Sequence, residues 1–118
     1  MKISSEKKKE LLEQYKMMKP EMGLLAIINK INGKYFLETT VNLKGKSNSI
    51  IFQLNMGSHP NKDLQNDYKT YGADQFEVTV LEQIEYEEND AKTDYSDDLK
   101  LLKMIWTDKL MQEGIKLY

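Results

Sequence analysis

Gly23-Leu24-Leu25-Ala26-Ile27-Ile28-Asn29-Lys30-Ile31-Asn32-Gly33-Lys34-Tyr35-Phe36-Leu37-Glu38-Thr39-Thr40 places two apolar, β-prone runs on either side of Asn32-Gly33. Asn-Gly between such runs is the strongest short-range signal for a tight antiparallel hairpin, since both residues tolerate positive φ. The pattern predicts strands over 23–31 and 34–40. The first run is apolar without a break from Leu24 to Ile28, which predicts burial on both faces or a central place in a sheet.

Upstream of the hairpin, Ser4 or Ser5 is placed to cap a helix reaching Lys19, with Leu11, Leu12, Tyr15 and Met18 along one side. Pro20 ends it by disfavouring helical geometry at the residue before. Downstream, 41–47 reads as a loop. Ser47 or Ser49 then caps a short helix holding Ile50, Ile51, Phe52 and Leu54, closed by Gly57. Ser58-His59-Pro60 breaks the chain, and His59 is expected in a turn that positions the next helix. Asn61 caps that helix, Leu64, Tyr68 and Tyr71 recur along it at helical spacing, and Gly72 stops it.

Phe76, Val78 and Val80 alternate with Glu77, Thr79 and Leu81, which predicts a third strand. Ser96-Asp97-Asp98 opens a last helix whose acidic first turn suits the helix dipole. Its apolar stripe is Leu99, Leu102, Trp106 and Leu110, widened by Leu101 and Ile105, and Gly114 closes it. The order predicts an α+β fold, a small antiparallel three-stranded sheet flanked by helices. With 118 residues there is room for a single domain, divided into an N-terminal helix over 1–19 and a body over 20–118.

Composition narrows the function classes. The chain is 40% apolar and 31% charged, has no cysteine, and carries a formal net charge of −2. It therefore has neither a disulfide framework nor a thiolate metal site. No apolar run nears the ~20 residues that span a bilayer, and 1–7 lacks the apolar core of a secretory signal. No membrane partner and a cytoplasmic location are expected. All 17 basic residues are lysine, so bidentate clamping of a phosphate, which is arginine chemistry, is replaced by point charges. Lys7-Lys8-Lys9 is basic, whereas Glu82, Glu85, Glu87, Glu88, Asp90, Asp94, Asp97 and Asp98 face Lys92 alone between 82 and 98. Such a run reads as a solvated loop, without the ligand spacing of a calcium loop.

Three further stretches carry more information than composition. Met56-Gly57-Ser58-His59-Pro60-Asn61-Lys62-Asp63-Leu64-Gln65-Asn66-Asp67-Tyr68 is followed by Tyr71-Gly72-Ala73-Asp74-Gln75-Phe76-Glu77-Val78 and Val80-Leu81-Glu82. With the element order, these resemble the GIY-YIG nuclease superfamily, in particular its small stand-alone bacterial and phage members. The resemblance runs from about Lys19 to Leu110 and takes in the last helix, from Asp98 through Trp106. It implies a GIY-YIG-like fold and, in an intact member, metal-dependent cleavage of a phosphodiester.

The catalytic positions match poorly. The family's first motif ends in a tyrosine where this chain has Leu25. The tyrosine of its second motif falls on Phe36 and the glycine on Glu38. The arginine of the helix after the hairpin has Lys46, with Lys44, as the nearest cation. The metal-holding glutamate of the last helix falls on Lys103, or at best on Met104. Tyr35 is no substitute for Phe36, since neighbouring strand residues point to opposite faces. The expectation is a catalytically inactive domain with no cofactor and no metal ligands.

Such a domain is expected to act as a binding or interaction module. Its partners are DNA or RNA contacted weakly through Lys34, Lys44, Lys46, His59 and Lys62, or a protein. Two alternatives differ in kind. One is an endonuclease with an altered site, which would need Mg2+. The other is an acidic regulator or inhibitor acting through the segment 82–98. Other motifs add no chemistry. The four serines Ser47, Ser49, Ser58 and Ser96 share one histidine and read as caps, so no triad assembles. Gly45-Lys46-Ser47 is not a phosphate loop, because Thr40 stands where the motif needs glycine. Trp106, Tyr15, Tyr68 and Tyr71 read as core aromatics.

Overall fold

Two apolar clusters, one on each face of a three-stranded sheet, explain the unbroken apolar run of the first strand. The computed structural model describes residues 19–87 and 92–118. The elements are β1 (Met22–Asn29), β2 (Tyr35–Thr40), α1 (Leu43–Met56), α2 (Lys62–Tyr71), a 3-10 turn (Ala73–Gln75), β3 (Phe76–Ile84) and α3 (Ser96–Gln112). The sheet order is β2-β1-β3 and both pairings are antiparallel. Apart from Lys19, the expected N-terminal helix over 4–19 lies outside the described residues.

Leu25 and Ile27 pack with Leu43, Ile50, Leu54 and Leu64 beneath α1 and α2. Leu24 and Ala26 pack with Leu37, Leu102 and Leu110 beneath α3. Period-two alternation sends neighbours to opposite faces, so only a strand covered on both sides needs apolar residues at every position. Leu24, Leu25, Ala26 and Ile27 are each at most 2% exposed, and burial of each Leu or Ile is worth about 2 kcal/mol. The register is broken between Leu24 and Leu25, where β3 bulges. At that point a Cβ on Gly23 would stand 2.1 Å from the Glu82 carbonyl oxygen, so glycine is required by close backbone approach.

Four local expectations are corrected. The hairpin loop is longer than two residues. Asn29 N–H donates to the Lys34 carbonyl at 2.9 Å, and of the Asn-Gly pair only Gly33 has positive φ, at 75°. Side chains hold this shape: Asn29 Oδ1 accepts from Ile31 N–H and Asn32 Oδ1 from Lys34 N–H. Second, α1 begins at Leu43, within the expected loop, because Asn42 caps it by accepting from Gly45 N–H at 3.0 Å. Ser47 and Ser49 are inside the helix.

Third, Leu101 and Ile105 do not widen the buried stripe of α3; each is 56% exposed. On α1, likewise, Ile50 and Leu54 are buried while Ile51 and Phe52 face out. Fourth, Tyr71 is exposed rather than core, whereas Tyr68 and Trp106 are half-buried against the two clusters. The last segment of the chain returns to the sheet. Tyr35 and Tyr118 exchange backbone contacts with it, Tyr35 N–H to Lys116 and Tyr118 N–H to Tyr35, and this lays 115–118 along the free edge of β2.

Candidate functional site

The register of β1 with β2 sets Leu25 opposite Glu38 and Ile27 opposite Phe36. Partners directly opposite point to the same face, so Leu25, Phe36 and Glu38 share the face under α1 and α2. Tyr35 pairs with Ile28 and packs into the α3 cluster, so it does point away as its neighbour position requires. From the second turn of α1, Lys46 reaches back to Glu38, with its ammonium 3.8 Å from the carboxylate. Both side chains are partly exposed, which makes this a modest ion pair rather than a buried one.

His59 completes the group. Its ring is 5.1 Å from that of Phe36, edge to face, and the residue is only 8% exposed. Gln65 positions it: its side chain accepts from His59 N–H and donates to the Leu54 carbonyl, both at 3.0 Å. That one amide thereby fastens the end of α1 to the loop before α2. His59 Nδ1 accepts from Asn61 N–H at 3.0 Å, and Asn61 Oδ1 caps α2 through Leu64 N–H. Burial pushes the imidazole pKa below its ordinary value, against an opposing pull from the Glu38 carboxylate. The ring is neutral at pH 7, with its proton on Nε2 because Nδ1 is an acceptor.

Beside Leu25 lies a cleft of about 240 Å3 between α1 and β3. Leu43, Val78 and Val80 contribute apolar lining, and Glu21, Lys44, Ser47 and Thr79 polar lining. Ser47, read from the sequence as a helix cap, thus faces a cleft instead. Gln65 was not singled out at all, although it stands next to Leu64 in the word quoted above. Its role depends on two backbone groups that the sequence does not place near it.

The remaining candidates lie elsewhere. Lys103 is exposed on α3, the helix of the opposite face, beside Lys100, Met104 and Asp108. It does not join Leu25 and Phe36. Lys34 sits at the hairpin end, over the Tyr118 ring at 5.4 Å. It is four residues from Glu38, or about 13 Å along a strand. Lys62 is exposed in the first turn of α2. Among the described residues no group of three or more His, Asp or Glu is arranged to hold a metal ion.

Solved structures with this arrangement of sheet and helices identify the architecture. The catalytic domain of the homing endonuclease I-TevI superposes with a TM-score of 0.64 at 22% identity, over 80% of this chain and 94% of that one. The fold is GIY-YIG-like. A mutant of the same intron endonuclease domain gives the same TM-score and identity, over 81% of this chain and 90% of that one. No family model matches the chain, and no curated protein matches it by sequence. At this identity the likeness concerns the fold. The GIY-YIG-like framework therefore holds Leu25, Phe36, Glu38, Lys46 and His59 on one face and Lys103 on the helix behind.

Proposed function

We propose that this is a catalytically silent GIY-YIG-like domain that binds nucleic-acid backbones weakly through point-charge lysines. The observation that supports it is the Glu38–Lys46 pair beside Leu25 and Phe36. Neither Leu25 nor Phe36 offers a hydroxyl to position water or move a proton. Lys46 presents a single charge, already engaged by Glu38, where a transition-state phosphate needs a planar fork.

The metal that an intact member would use does not fit these residues. Divalent magnesium takes hard oxygen donors in octahedral geometry. The position matched to the metal-holding carboxylate is the ammonium of Lys103, and the carboxylate at the cluster, Glu38, is balanced by lysine.

What remains for contact with a nucleic-acid backbone is the point charges of Lys44, beside the cleft between α1 and β3, and of the exposed Lys62 in the first turn of α2. Such a surface gives sequence-independent phosphate contact. The binding constant then falls with salt, with a log–log slope of about −0.9 for each phosphate neutralised. Two assays on the full chain test the proposal. Fluorescence anisotropy with labelled duplex and single strands, at about 50 and 200 mM salt, is expected to detect weak binding that fades at the higher salt. No binding at low salt would favour a protein partner and the acidic-regulator alternative. Incubation of plasmid and single strands with Mg2+ or Mn2+ is expected to leave both intact; nicking by pure protein that EDTA abolishes would establish the altered-nuclease alternative.

A further inference from the structure

α3 is apolar on two faces, whereas a surface helix needs only one. Leu99, Leu102 and Leu110 are buried against the domain, yet Leu101, Met104 and Met111 are 56%, 61% and 63% exposed. Asp97, Leu101, Met104, Asp108 and Met111 follow one another at alternating spacings of four and three residues, which puts them on one outward stripe of the helix. Lys100, Lys103 and Thr107 border a groove of about 480 Å3 along it.

The charges beside this stripe are placed symmetrically about Met104. Lys100 stands four residues before it and Asp108 four after, so both share its side of the helix. Both are exposed, and among the described residues neither is in an ion pair. Asp108 accepts from Gln112 Nε2 at 3.3 Å, a neutral donor that leaves its charge unbalanced. A lysine and an aspartate at equal distances from a central apolar side chain make a self-complementary surface. A two-fold axis through Met104 sets Lys100 of each copy opposite Asp108 of the other, since in an isologous contact residue i meets j and j meets i. Parallel helices would instead oppose lysine to lysine and aspartate to aspartate, which repel.

We propose that this face receives a second copy of the chain, with the two α3 helices antiparallel and crossing at Met104. Leu101 and Met104 of each copy leave water at the centre, which drives the association, and the two Lys100–Asp108 pairs fix its direction and register. One helix from each side is a small interface, so the pairing is weak and depends on concentration. α3 lies across the sheet from Leu25, Phe36 and His59, so both copies keep that face open. α1 also exposes apolar side chains, Phe52 at 64% and Met56 at 66%. Its only charged residues are Lys44 and Lys46, so no pairing of α1 with itself matches opposite charges.

Sedimentation of the full chain at about 10 to 500 µM tests the pairing, a range suited to micromolar affinity. The weight-average mass is expected to rise from 13.8 kDa towards twice that value, and a mass that stays at 13.8 kDa overturns the proposal. Asp108→Lys sets lysine against lysine twice and is expected to weaken the dimer about tenfold. Lys100→Asp/Asp108→Lys exchanges the two charges and is expected to restore it. A dimer indifferent to Asp108→Lys uses another surface, and a double variant as weak as the single one refutes the register; either outcome overturns the proposal. The absence of cysteine allows a second measurement. Under mild oxidation Met104→Cys is expected to form disulfide-linked dimers several-fold faster than Phe52→Cys, because the axis holds the two thiols together. Equal rates overturn the crossing at Met104.

Discussion

Replacing Gly23 with alanine tests whether this glycine serves packing or chemistry. The added Cβ would lie 2.1 Å from the Glu82 carbonyl oxygen, 2.8 Å from Gln83 Cα and 3.0 Å from the Glu82 carbonyl carbon. All three are backbone atoms of β3 at the bulge, so no side-chain rotation relieves the contact. Either the β1–β3 register opens or the strands separate, and both disturb the central strand of the sheet. Overpacking a tight core costs typically 1–3 kcal/mol, and backbone obstruction on a central strand puts this substitution at about 3 kcal/mol. At about 2.1 cal/mol/K of unfolding entropy per residue, a chain of this length loses about 4 °C per kcal/mol, or about 12 °C in all. Gly33→Ala is the comparator. Gly33 has a φ of 75° and open space around it, so it incurs only the left-handed penalty of about 1 kcal/mol. Urea and thermal unfolding of both variants give the answer. If Gly23→Ala stays within about 0.5 kcal/mol of the parent, the clash argument fails and the glycine has another reason to be there.

Four other substitutions probe the frame and the site. Tyr118→Phe removes a hydroxyl that accepts from Asn29 Nδ2 at 2.9 Å and donates to Asp67 at 2.7 Å; with Asn29 fully buried, denaturant titration should register a loss of about 1–3 kcal/mol. Asn42→Ala deletes the α1 cap and should cost about 1 kcal/mol by the same titration, while Ser47→Ala, at the position expected from the sequence to cap, should change stability by less than about 0.5 kcal/mol. His59 is held below its ordinary pKa of 6.5 by burial, so its neutral form is the one the fold favours. That contribution is complete above the ordinary value and is lost as pH falls through the folded value. Urea midpoints at pH about 7 and about 5 should therefore drop further for the parent than for His59→Gln, and equal drops would remove His59 from the acid sensitivity of the domain.

The candidate site was legible to the extent that strand periodicity is legible. Once Leu25 and Phe36 stand on paired strands, alternation alone separates Phe36 from Tyr35, and the register confirms it. The Glu38–Lys46 pair was half visible. Lys46 could be chosen as the nearest cation, but its approach depends on α1 starting at Leu43, whereas the sequence pattern places 41–47 in a loop and the cap at Ser47 or Ser49. Packing decided the start, because Leu43, Ile50 and Leu54 reach the sheet only if the helix begins early. Gln65 was illegible for a related reason: its two partners are backbone groups, which carry no residue-type signature.

By itself the sequence determined the kind and order of the elements from residue 20 onward, the continuously apolar character of β1 and the helix stops at Gly57 and Gly72. These follow from local rules of period, capping and backbone freedom that act within a few residues. Only the tertiary structure decided the β2-β1-β3 order, the bulge that requires Gly23, and which side of each helix is buried. Leu101 and Ile105 show why. Apolar periodicity marks a side chain as fit for burial, but whether it is buried depends on a surface supplied from elsewhere in the chain. The same holds for the site: five residues spread from 25 to 59 meet on one face because long-range strand pairing and one glutamine between two helices bring them there, and Lys103 stays behind on the other.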